Sequence, residues 1–189
     1  MNRMRSIVPA LCGLLLWAVA MRAGADDVSE VNRLFTSGQT AEAMLKVDQF
    51  LAIKPKDPQL RFLKGVMLAE GKRTAEAIAQ FAAITEEYPD LPEPYNNLAV
   101  LYASEGQYDK ARNALEAAVR SNPGYATAQE NLGDVYAKLA AQAYARAQAL
   151  DPGNASLTPK LVLMRNLFTP KASELRSAAG TRAGKASAP

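Results

Sequence analysis

Small and large side chains recur in this chain every 34 residues, and that period constrains the fold more than any other feature. Ala43, Ala77 and Ala111 stand at this interval, as do Pro55, Pro89 and Pro123. Gly65, Ala99 and Gly133 follow it, and so do Leu34, Leu68, Tyr102 and Tyr136. Within one period, Tyr95, Leu98, Ala99, Leu101 and Tyr102 have helical spacing. Gly106 interrupts them, and Tyr108, Ala111, Leu115, Ala118 and Val119 resume the pattern until Pro123 stops it. Two short helices joined by a tight turn cannot bury their own apolar faces, so the hairpin must stack on copies of itself. The small positions suit a close helix crossing, and the large ones suit packing on the neighbouring copy.

The stretch Pro92–Tyr125 and its copies resemble the tetratricopeptide repeat over roughly residues 24–168. The resemblance implies an all-α, right-handed α-solenoid of about three to four helical hairpins. The units are placed at about 24–57, 58–91, 92–125 and a shortened 126–154, with a C-terminal capping helix over 158–168. The first unit lacks the aromatic residues of the third and reads as a worn terminal repeat. Thr74 is the expected N-cap of the second helix of unit two, and Thr158-Pro159 the expected start of the capping helix.

The fourth unit departs from the pattern. Pro152 follows Pro123 by only 29 residues, so five residues are missing where Gly106-Gln107-Tyr108 makes the turn in unit three. Two structures are open: a very tight turn near Ala140-Ala141, or one continuous helix over 126–150, about 37 Å long at 1.5 Å per residue. The second is favoured. Ala is a strong helix former with no tolerance for left-handed backbone, and Leu132, Tyr136, Leu139, Ala143, Ala147 and Leu150 continue one stripe.

Charge separates the segments. Of 22 basic residues, Arg3, Arg5 and Arg22 lie in the first 25 positions, leaving 19 against 19 acidic ones. Residues 169–189 hold Lys171, Arg176, Arg182 and Lys185 against Glu174, so the repeats carry about −3. A slightly acidic body argues against nucleic acid as a partner. Arg3 and Arg5 precede an apolar run from Ile7 to Met21, followed by Ala23-Gly24-Ala25, the layout of a secretory signal over residues 1–25 cleaved after Ala25. The expected location is the periplasm, with membrane association only if that segment stays uncleaved. Cleavage would remove Cys12 and Trp17, the only Cys and the only Trp. The tail 169–189, rich in Ala, Ser, Gly and Lys, is expected to be disordered.

No chemistry for catalysis is apparent, and no cofactor or metal is expected. The chain has no histidine, which removes Ser-His and Cys-His pairs and the commonest zinc ligand. Gly65 and Gly71-Lys72 superficially suggest a phosphate loop, but five residues separate the glycines and Arg73 stands where Ser or Thr must hold magnesium. The adjacent Glu86-Glu87 and Asp26-Asp27 read as solvated faces.

What remains is the groove. The resemblance implies that the first helix of each hairpin lines a concave face where an extended peptide lies. Asn97 and Asn131 would occupy equivalent positions there, and their amides would form a ladder along a peptide backbone or else bond between repeats. Asn96, Val100, Phe62, Val66, Glu130, Asp134 and Lys138 are expected on the same face. The Lys and Arg set with which some relatives grip a terminal carboxylate is missing. The function so implied is a noncatalytic protein-binding scaffold in a bacterial envelope. The alternative is a structural assembly subunit, a homodimer for example, held through residues 140–168.

Overall fold

The structure is a computed structural model that describes residues 26–168; residues 1–25, expected to be a signal, and the tail 169–189 lie outside the described residues. The described residues form helices and no strand. Helix α1 covers 26–36, and it is followed by α2 (Thr40–Ile53), α3 (Pro58–Glu70), α4 (Thr74–Glu87), α5 (Pro92–Ser104), α6 (Tyr108–Ser121), α7 (Ala126–Leu150) and α8 (Leu157–Leu167). The architecture is an all-α solenoid: three hairpins, then the long α7 with α8 packed on it.

The turns obey the period in their hydrogen bonds as well as in their residues. Gln39, Arg73 and Gln107 each donate a backbone N–H to the carbonyl five residues back, on Leu34, Leu68 and Tyr102, at 2.9 Å. Gly38, Lys72 and Gly106 donate to Phe35, Ala69 and Ala103 at 3.0 Å. These pairs are Schellman motifs, which need one residue with left-handed backbone. That residue is Gly38 (φ 82), Lys72 (φ 59) and Gly106 (φ 73). Gly71, though adjacent, has an ordinary φ of −72. The next position in this series is Ala140, and there α7 runs on without a turn: residues 126–150 are one continuous helix.

At the hairpin entrances proline opens α3 and α5. Asp57 caps α3 by accepting from the backbone N–H groups of Gln59 and Leu60, both at 3.0 Å. Two expected caps are corrected. Thr74 is the first residue of α4, the N-cap position is Arg73, and no side chain caps it. Thr158 likewise lies inside α8, which begins at Leu157 after Ser156. In the first case Arg73 instead forms a two-pronged bond to Glu76, at 2.7 and 2.6 Å, that fixes the first turn of α4.

Burial follows the stacking logic. Val31, Leu34, Ala43, Val47, Leu60 and Met67 make one cluster from the first hairpin and α3. Leu68, Ala77, Phe81, Ile84 and Leu98 make the next, and Ala99, Ala111, Leu115, Ala118, Ala128, Leu132 and Val135 the third. Each hairpin thus closes its core with the first helix of its successor. The small position explains itself in the second unit, where a methyl group on Gly65 would meet the Phe81 ring at 2.7 Å. In the fourth unit no second helix crosses there, and a methyl on Gly133 would meet nothing within 4 Å.

Three single substitutions should therefore separate by sign. Gly106→Ala forces left-handed backbone on a residue with a side chain and should cost about 1–2 kcal/mol. Lys72→Gly relieves the same strain and should gain about 1 kcal/mol. Gly133→Ala, in open space within a helix, should gain about 0.5–1 kcal/mol. Urea unfolding of the full chain at constant slope reads all three; a shift of the same sign in all of them would refute the assignment.

Candidate functional site

Two cavities open between the first helices of successive hairpins. One, about 410 Å³, lies between α5 and α7 with Tyr108 and Leu115 of α6 behind it. Ala99, Val100, Ala103 and Val135 form its apolar wall, and Asn131, Asp134 and Lys138 reach it from α7. The other, about 460 Å³, lies between α1, α3 and α5 and is lined by Val28, Pro58, Phe62, Leu63 and Pro94, with Gln59 and Glu93 as its polar members.

Of the residues predicted from sequence, Val100, Asn131, Asp134 and Lys138 converge on the first cavity and Phe62 on the second. Val100 is 49% exposed, a large apolar side chain left open to solvent on an otherwise packed helix. Phe62 is half-buried and its ring leans on Phe81 at a centroid distance of 5.5 Å. Neither cavity is lined by Val66, which packs half-buried on the second core cluster, or by Glu130, which is exposed.

Of the two arrangements expected for the asparagines, Asn131 takes the bond between repeats, though to Asn96 and not Asn97. Asn97 donates its amide to the Glu93 carbonyl of its own helix at 2.9 Å. Asn131 donates to Asn96 Oδ1 at 2.8 Å, and Asn96 is buried. The reason is helical geometry: Asn96 and Asn97 are about 100° apart around α5 at 3.6 residues per turn. Only Asn96 faces the neighbouring repeat, so the amide bond across the groove floor is structural, and Asn96 is not available to a ligand.

Sequence reasoning places Phe168 on the capping helix, within the 140–168 assembly surface, and not in the groove. Phe168 follows the last turn of α8 and lines the first cavity, with the Lys138 ammonium 3.6 Å from the centre of its ring. The two basic groups of α3 are engaged, Arg61 with Glu87 at 3.0 Å and Lys64 with Asp48 at 2.7 Å. Glu93 and Asp134 form no ion pair with another described residue; Asp134 shares its cavity with the Lys138 ammonium, whereas Glu93 is the one charged group among the described residues lining the other. Burial, and then the Glu93 carboxylate, push the nearby Tyr125 phenol up. The hydrogen bond to Glu116, together with burial, does the same at Tyr136. Among the described residues no group of three metal-ligating side chains occurs, and no helix is long and apolar enough to cross a membrane.

Comparison with known proteins agrees with the architecture. Family profiles described as tetratricopeptide repeat match residues 29–92 and 81–113, and one described as TPR repeat matches 101–139. The chain is 41% identical over 76 residues to the tetratricopeptide repeat domain-containing protein PYG7 of Arabidopsis thaliana chloroplasts. That match covers 38% of this chain and 25% of the relative, so the chain spans about a quarter of its length. Among solved structures, YrrB, described as a TPR protein with an unusual peptide-binding site, superposes with a TM-score of 0.52 at 27% identity, covering 57% of this chain and 55% of that one. The first TPR of Spaghetti (RPAP3), solved with an HSP90 peptide, superposes with a TM-score of 0.57 at 16% identity, over 62% of this chain and 93% of that one, and shows the shared fold.

Proposed function

This chain belongs to the tetratricopeptide repeat family, and we propose that it is a noncatalytic scaffold that holds a peptide or protein segment in its concave trough. The observation that carries this reading is the pair of apolar cavities between successive first helices, with Val100 exposed and Phe62 half-buried rather than sealed in the core. An apolar opening rimmed by a few polar groups is what a binding surface requires. The likeness to YrrB, whose description includes peptide binding, supports it. The working compartment in this proposal is the bacterial periplasm, reached through the signal-like segment 1–25. N-terminal sequencing of the protein from an envelope fraction should begin at Asp26.

A second reading has its own observation. Val162, Leu163 and Leu167 on α8, with Leu150 at the end of α7, are exposed apolar side chains, as an assembly surface would be. Two variants distinguish the readings. Val100→Lys changes an exposed position and should leave stability within about 0.5 kcal/mol while weakening capture of the native envelope partner at least tenfold. Leu163→Asp should leave capture unchanged. If Leu163→Asp abolishes capture or dissolves a dimer seen by light scattering, and Val100→Lys does neither, the assembly reading replaces the scaffold.

A further inference from the structure

The two cavities share helix α5, since Pro94 lines one and Val100 the other. Packed helices lie about 8–10 Å apart, and an extended peptide in the polyproline II conformation advances about 3.1 Å per residue at three residues per turn, so side chains three residues apart project from one side about 9 Å apart and reach the two cavities together. A dry cavity of about 150 Å³ accommodates a benzene-sized group, and volumes of about 410 and 460 Å³ exceed that. Each cavity has an apolar wall and one carboxylate, Asp134 or Glu93, without an ion-pair partner among the described residues. On α3, Arg61 and Lys64 are paired with carboxylates, while Lys138, over the Phe168 ring, keeps its charge at the α5–α7 cavity, so the negative charge is most open at Glu93.

We propose that the trough selects an extended, basic segment with two apolar side chains about three residues apart, the aromatic one seated beside Phe168 and Lys138. This rests on the scaffold reading and adds the chemistry of the partner. An aromatic ring entering the α5–α7 cavity meets the Phe168 ring for edge or offset contact and lies within reach of the Lys138 ammonium. A Lys or Arg beside each anchor meets Asp134 or Glu93. An acidic segment meets the same carboxylates and is repelled, so the charges exclude partners as well as attract them.

The test uses the full chain, isotopically labelled, and a heptapeptide blocked at both ends, Gly-Lys-Phe-Ser-Lys-Leu-Gly. The blocked terminus removes any contribution from a terminal carboxylate. Binding below about 1 mM should shift amide signals of both cavities, Val100 and Asn131 in one and Gln59 and Leu63 in the other. Replacing both lysines by Glu, or Phe by Ala, should weaken binding about tenfold or more. The exposed change Asp134→Lys should weaken the basic peptide and strengthen the acidic one. No binding up to 1 mM, equal binding of the acidic peptide, or indifference to the aromatic ring each overturns the proposal. If the altered peptides shift Val100 and Asn131 as strongly as the first, only the ligand chemistry fails and the scaffold stands. The scaffold itself falls on the Val100→Lys capture result, which does not depend on these peptides.

Discussion

Phe81→Ala should cost about 3–5 kcal/mol, the range for truncating a fully buried aromatic residue. Phe81 is inaccessible to solvent, sits among Leu68, Ala77, Ile84 and Leu98, and supports the Phe62 ring from below. The same ring explains why residue 65 carries no side chain. A methyl there would lie 2.7 and 2.8 Å from two of its carbons, and a ring enclosed on all sides cannot swing clear. Gly65→Ala alone should therefore destabilise, because overpacking of about 1–3 kcal/mol outweighs the gain of about 1 kcal/mol in helix propensity. With Phe81 already truncated, the obstruction is gone and the same Gly65→Ala change should stabilise by up to about 1 kcal/mol. A cycle of four urea unfolding curves measures this coupling. Equal effects of Gly65→Ala in both backgrounds, or a loss below about 1.5 kcal/mol for Phe81→Ala, would sink the argument. The functional corollary is that Phe62 faces the trough only while Phe81 holds it there.

The repeat was legible in the sequence because stacking imposes the same packing demand every 34 residues, and packing demands select side-chain size. Gly65, Ala99 and Gly133 answer one demand, and Pro55, Pro89 and Pro123 another. Features that depend on rotation about a helix by a single residue were not legible. Asn96 and Asn97 are chemically identical neighbours, and only coordinates show that Asn96 takes the inter-repeat bond. Gly71 advertises a turn, yet Lys72 is the residue with left-handed backbone, because the period places that position one residue later. Phe168 was hidden for a different reason. Its arrival in the trough depends on the length of α7 and the angle at which α8 folds back, quantities that no local pattern encodes. Four of the nine residues expected at the site meet in one cavity, because positions on one helical face stay together whichever hydrogen bonds they make.

Ala140→Pro should release the C-terminal end of the molecule while leaving the hairpins folded. Proline inside a helix removes the N–H that bonds four residues back, here to Tyr136, and its ring collides with that carbonyl, a penalty of about 3 kcal/mol or more. Whether α7 can absorb it depends on what holds each half. The buried residues of α7 are Ala128, Leu132 and Val135, all before the break. Beyond it, α8 contributes one buried side chain, Leu157, and the Lys160 ammonium rests 5.3 Å from the Tyr144 ring. So little burial cannot oppose the penalty, and the break should appear as local opening rather than global unfolding. Amide exchange should lose protection from about residue 140 through α8 and keep it through α6 and the first turns of α7. Phe168 would then leave Lys138, and the α5–α7 cavity would lose the wall on which the aromatic anchor leans. A turn at Ala140-Ala141 would predict the opposite, since proline is at home in a turn. Unchanged exchange in α8 of the Ala140→Pro chain would mean that the long helix is not what positions Phe168.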